Sequence, residues 1–183
     1  MRLSVRNLSK SYDKKEVVKN ITFEMSCGET LGILGPNGAG KTTLFYIIAG
    51  LIDCENGDIY LGESRINNTN ISERTTLGLS YLPQESSIFK GLTVEENILS
   101  ALQQRKDIQK KDINETLEVL LEEFNLQNFS KTMGVKLSGG ERRRTEIARS
   151  LATNPKFILL DEPFAGIDPI AVSDLKETIN NLN

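Results

Sequence analysis

The chain has 183 residues, a formal net charge of −3, two cysteines (Cys27 and Cys54) and no histidine. That length suits one α/β domain, alone or with a small insertion, and the mild acidity argues against the broad basic face that nucleic-acid binding needs. The longest apolar run, residues 44–52, is well short of the ~20 residues that span a bilayer, and residues 1–6 lack the apolar core of a signal peptide, so a cytosolic protein with unpaired thiols is expected.

Residues 2–8 and 17–25 alternate apolar and polar, the pattern of half-buried antiparallel strands. Between them, residues 11–15 read as a polar turn carrying one aromatic, Tyr12. Residues 29–34 are mostly apolar and predict a short strand in the middle of a sheet. A glycine-rich stretch and a helix over about 41–49 follow, then strands at 57–61 and 77–82. From 93 to 129 the apolar residues recur at three- and four-residue steps, which predicts two helices separated by the polar stretch 103–112. Thr93 with Glu96 three residues on has the pattern of a capping box. The α/β character returns with a helix opened by Ser138 and running to about 153, a buried strand at 156–160 and a last helix near 171–182. The predicted fold is α/β, a mixed sheet with an antiparallel β part and an inserted helical subdomain. It forms a single domain over 1–183, with a core of 1–85 and 136–183 and an insertion at about 86–135.

Three segments carry chemistry. Residues 35–42 match G-x-x-x-x-G-K-[ST], placed after a predicted strand and at the start of a helix. In that setting the glycines turn backbone N–H groups toward phosphates. Lys41 reaches the β- and γ-phosphates, and the Thr42 hydroxyl suits Mg²⁺. The second segment is Leu137-Ser138-Gly139-Gly140-Glu141, a capped glycine-rich helix start and hence another anion site; taken alone, it reads equally well as a purely structural cap. The third is residues 157–162, an apolar strand ending in Asp161 and Glu162 at the sheet edge where α/β folds bind ligands. Asp161 suits Mg²⁺ coordination, and Glu162 suits the general base that polarises an attacking water.

Together these segments make the chain resemble the ATPase subunits of ABC transporters, phosphate-loop NTPases, from its first strand to its last residue. The resemblance implies a nucleotide-binding set of Tyr12, Gly35, Pro36, Asn37, Gly38, Ala39, Gly40, Lys41, Thr42 and Thr43, with Tyr12 stacking on adenine. It makes Ser138, Gly139, Gly140 and Glu141 the family signature, which caps ATP held by an opposing subunit; Glu141 stands where most members have Gln. Gln84 matches the loop glutamine that contacts Mg²⁺ and water, so the catalytic set is Glu162, Lys41 and Gln84 and the metal set Thr42, Gln84 and Asp161. Asp168 matches the loop that meets the opposing subunit. The cofactors implied are ATP and Mg²⁺. The partners implied are a second copy, in an ATP-sandwiched homodimer, and two membrane-embedded subunits. The expected location is the cytoplasmic face of the inner membrane.

Within the family, residues 81–89, 139–144 and 155–169 resemble the ATPases that power lipopolysaccharide export in Gram-negative bacteria. By that likeness Phe89 and Leu92 line a groove for helices of the membrane subunits; the alternative is that Phe89 packs inside the helical subdomain. Branched-chain amino-acid importer ATPases, soluble ABC proteins and a nucleotide-binding fragment impaired in hydrolysis are the other readings. Family members continue beyond the last predicted helix to a loop histidine that contacts the γ-phosphate. The sequence stops at Asn183 without one, so the C-terminal part of the family fold is expected to be absent and hydrolysis weak.

Overall fold

The computed structural model describes residues 1–13 and 15–164. The helix expected near 171–182 and the expected dimer-loop residue Asp168 lie outside them. The chain divides into two compact units, Met1–Ser80 and Tyr81–Asn183.

In the first unit, β1 (Arg2–Tyr12) and β2 (Lys15–Ser26) form a long antiparallel hairpin, with Tyr12 paired to Lys15. The strands therefore run through most of the stretch expected to be a turn. Two asparagines in left-handed backbone, Asn7 and Asn20, sit where the ladder slips register, as β-bulges require. β3 (Asn56–Leu61) and β4 (Ser64–Arg65) extend the sheet in the order β2-β1-β3-β4. α1 (Lys41–Ala49) has the predicted bounds and buries Leu44, Ile47 and Ile48 at helical spacing. α2 (Ile71–Thr76) is a short helix that the apolar pattern did not reveal. Asn70 caps it through a reciprocal pair of bonds with Glu73.

Residues 29–34 overturn the expectation of a buried central strand. Among the described residues this segment is not part of a strand, and Leu31 and Leu34 are 45% and 96% exposed. An apolar run becomes a strand only where a neighbouring strand continues a ladder along it, and among the described residues the sheets contain no strand over this segment.

In the second unit, α3 (Val94–Leu102), α4 (Ile113–Glu123) and α5 (Gly139–Ala152) pack around one apolar cluster whose most buried members include Ile98, Leu102, Phe124, Leu126 and Ile147. Each such side chain contributes roughly 1.5–3 kcal/mol by leaving water. The helical pattern read to residue 129 stops at Glu123, because Asn125 turns into left-handed backbone and one-turn 3₁₀ segments follow. Capping boxes start α3 at Thr93 and α5 at Ser138. β5 (Leu79–Leu82) pairs with β6 (Phe157–Leu160), and the Asp161 N–H extends the pairing by donating to the Leu82 carbonyl at 3.1 Å. The result is an α/β fold with an antiparallel sheet and a set of helices.

Candidate nucleotide site and its family

The phosphate loop is exposed along residues 34–39 and becomes half-buried at Gly40. Gly40 is the N-cap of α1, with φ +88°, and a Cβ there would lie 2.3 Å from the Val17 carbonyl oxygen of β2. Only glycine permits both that backbone conformation and that approach, so the start of α1 is seated directly against the sheet edge. The Lys41 ammonium curls back onto its own loop, donating to the carbonyls of Gly35 at 2.9 Å and Pro36 at 3.1 Å. These are exposed bonds that a phosphate can replace. Thr42 and Thr43 stand half-buried in the first turn of α1, where N–H groups and the positive end of the helix dipole favour an anion.

At its other end, α1 is closed by a residue to which sequence reasoning assigned no role. Arg74 of α2 is 2% exposed and donates to the carbonyls of Ile47 at 2.6 Å and Ile48 at 2.7 Å, as well as to those of Ile66, Asn67 and Thr69. Burial pushes its guanidinium below the usual arginine value. A cation at the C-terminal carbonyls opposes the negative end of the helix dipole. A lone Arg in a short polar helix gives no signal of this in the sequence.

In the second unit, Gln84 and Glu162, 78 residues apart, meet: Gln84 Nε2 donates to Glu162 Oε2 at 2.9 Å. Both side chains are exposed, and Glu162 holds left-handed backbone with φ 44°. Non-glycine residues adopt this conformation rarely, and such strain tends to collect at functional sites. Asp161, by contrast, is buried at 1% exposure, with the Tyr81 hydroxyl 3.4 Å from its Oδ2. The two adjacent carboxylates thus sit in different environments, one buried and one exposed.

The start of α5 carries the second predicted anion site. The Ser138 N–H donates to Glu141 Oε2 at 2.8 Å, and the Glu141 N–H to Ser138 Oγ at 3.4 Å. Glu141 therefore closes a capping box. Glu and Gln serve equally well there, which explains locally why the family's usual Gln can be replaced.

Tyr12 is 47% exposed at the end of β1, with the Lys10 ammonium 5.7 Å from its ring centroid. Phe89 is 50% exposed, the Arg149 guanidinium lies 4.6 Å from its ring centroid, and Leu92 is half-buried nearby in sequence. Burial also pushes the Arg149 guanidinium below its usual value, with Glu146 opposing the shift.

A family profile described as ABC transporter matches residues 18–165. The chain belongs to the ABC transporter family. This ABC ATPase is 49% identical over 180 residues to the "Lipopolysaccharide export system ATP-binding protein LptB" of Haemophilus influenzae, with 98% of this chain and 75% of that protein covered. Among solved structures it is similar to an ATP-binding cassette of an ABC transporter, with TM-score 0.86 and 30% identity over 98% of this chain and 76% of that one. It also resembles a dimeric ATP-binding cassette in a post-hydrolysis state bound to ADP and Pi, with TM-score 0.84 and 26% identity over 98% and 82% of the two chains. Sequence reasoning about this ABC ATPase missed Arg74 and a second group of buried polar residues, Asn97, Arg143 and Glu146. The available signal was slight: a polar residue on the inner, otherwise apolar face of a helix, as at Asn97 between Val94 and Ala101.

Proposed function

We propose that this chain is the ATP-binding and ATP-hydrolysing subunit of a transporter that extracts lipopolysaccharide from the inner membrane for export toward the outer membrane. The Gln84–Glu162 hydrogen bond carries the hydrolytic part of this reading. It sets a carboxylate beside an amide in an exposed setting, where a water that bridges the two in place of their direct bond would be both oriented and polarised. In this reading Glu162 accepts the water's proton, Gln84 orients that water, and Lys41 leaves the Gly35 and Pro36 carbonyls to bind the phosphates. In this reading Thr42, Gln84 and Asp161 are the Mg²⁺ ligands, since each offers the kind of oxygen that Mg²⁺ prefers. Held there, Mg²⁺ would supply positive charge to neutralise the transferred phosphoryl group.

The lipopolysaccharide assignment is supported by the 49% identity to the Haemophilus influenzae export protein. The dimeric cassette supports a homodimer in which Ser138–Glu141 of one copy caps the ATP held by residues 35–43 of the other, with Tyr12 at the adenine and Asp168 at the contact between copies. The helical subdomain of about 86–135 offers Phe89 and Leu92 to two membrane-embedded subunits. In this reading attachment to the inner membrane runs through those subunits; among the described residues no helix is long and apolar enough to cross a membrane.

The test is ATP turnover measured beside ATP binding, with Lys41→Ala and Glu162→Gln as variants. Turnover lost in both, with binding lost only in Lys41→Ala, supports the proposal; binding without Glu162-dependent turnover overturns it. Co-purification of Phe89→Ala with the membrane subunits tests the groove, and undiminished assembly argues against it.

A further inference from the structure

α5 presents Arg143, Glu146 and Arg149 at three-residue steps along one side, and the first two are 6% and 3% exposed. Glu146 Oε1 accepts from the Ser86 hydroxyl at 2.7 Å, the Ser87 N–H at 2.9 Å and the Ile88 N–H at 3.2 Å. Its Oε2 accepts from Arg143 Nη1 at 3.2 Å. Arg143 in turn reaches two other loops, donating from Nη1 to the Pro83 carbonyl at 2.9 Å and from Nε to the Pro163 carbonyl at 3.0 Å. Pro83 immediately precedes Gln84, and Pro163 immediately follows Glu162. One guanidinium therefore grips the peptide next to each partner of the Gln84–Glu162 hydrogen bond, and the carboxylate paired with it orders the three residues beyond Glu85.

A buried ion pair is by itself weak evidence for stability, since apolar replacement is often neutral. Here, however, most of the pair's hydrogen bonds go to the backbones of two loops that end β5 and β6. Neither strand fixes those loops alone, because pairing stops at Leu82 and Asp161.

We infer that Arg143 and Glu146 are positioning residues: they hold the loop of Gln84 and the loop of Glu162 in register from the signature helix, so that a shift of α5 is felt at the hydrolytic carboxylate. This rests on the reading of Glu162 as the general base. The planar fork of Arg143 matters because it spans two carbonyls and a carboxylate at once, which the point charge of a lysine cannot do.

The experiment compares the full chain with Arg143→Lys, with the double variant Arg143→Met/Glu146→Leu, and with Glu162→Gln. It measures kcat, KM, binding of trinitrophenyl-ATP, melting temperature and amide hydrogen exchange. The expected result for Arg143→Lys is a kcat lower by about 100-fold, the scale of loss for a reacting group misplaced by about 1 Å. KM and probe binding hold, melting temperature falls by no more than a few degrees, and exchange rises about tenfold in both 83–88 and 161–164. Exchange that rises in neither segment, or in only one, overturns the inference whatever the turnover. So does a parallel fall of kcat, probe binding and melting temperature, which marks a merely structural role, or an unchanged kcat in a folded double variant. Turnover that survives Glu162→Gln refutes the general-base reading, whereas turnover that depends on Glu162 but not on Arg143 refutes the positioning inference alone.

Discussion

The side chain of Asn97 satisfies both polar groups of the Phe89 backbone: its Oδ1 accepts from the Phe89 N–H at 2.9 Å, and its Nδ2 donates to the Phe89 carbonyl at 3.1 Å. Nδ2 also donates to the Thr93 carbonyl at 2.8 Å. This fully buried amide fixes the loop that displays Phe89 and Leu92. Asn97→Leu keeps the volume but leaves the Phe89 N–H without its acceptor, while the Phe89 and Thr93 carbonyls keep the backbone N–H groups of Leu92 and residue 97, so a loss of ~1–3 kcal/mol in unfolding free energy is expected. Urea denaturation measures it, and co-purification with the membrane subunits should weaken in parallel.

Arg74 holds the end of α1 opposite the phosphate loop. Arg74→Met leaves the Ile47 and Ile48 carbonyls without their cation, and a stability loss of about 3 kcal/mol is expected. Arg74→Lys should recover only part of it, because three donors on a point charge cannot serve the six oxygens that Arg74 contacts. Thermal unfolding of the two variants side by side checks the order.

Two glycines of the phosphate loop should respond differently to alanine. Both have positive φ, but a Cβ at Gly38 meets nothing within 4 Å, whereas one at Gly40 would strike the Val17 backbone at 2.3 Å. Gly38→Ala should therefore add only the left-handed strain of about 1–2 kcal/mol. Gly40→Ala must also push α1 off β2, and should lose nucleotide binding altogether. A binding titration with an ATP analogue separates them.

The capping box of α3 makes stability sensitive to acid. Glu96 accepts from the Thr93 N–H at 2.7 Å. That bond, with a smaller contribution from the Thr93 hydroxyl, holds the Glu96 carboxyl below the ordinary glutamate value of 4.5. A carboxyl lowered on folding contributes stability that is fully present above its unfolded value and is lost as pH falls through the folded one. Glu96→Gln should therefore flatten the acid side of the melting-temperature profile below about pH 4.5 while changing little at neutral pH. An unchanged acid slope would refute this.

Much of the molecule was legible because its signals are local. The phosphate-loop spacing, the bounds of α1 and the caps at Thr93 and Ser138 depend on residues within a few positions of each other, and the apolar periods of α3 and α4 report which face is buried. Local signals also mislead where pairing decides. Residues 29–34 have the composition of a central strand, yet a ladder needs a neighbour, and among the described residues the sheets contain no strand over this segment.

The sequence by itself determined the chemistry on offer: a phosphate loop, a capped glycine-rich helix and two carboxylates after a strand. Only the tertiary structure decided which polar side chains support that chemistry. Arg74, Asn97, Arg143 and Glu146 look like ordinary surface residues in the chain, and their partners lie between 3 and 60 residues away. Buried polar groups must find hydrogen bonds, and most of their acceptors and donors here are backbone atoms of other segments, brought within reach only once the chain has folded. The meeting of Gln84 with Glu162 is of the same kind: each residue type was readable, but the 2.9 Å between them was set by strands and a helix that bring distant loops together.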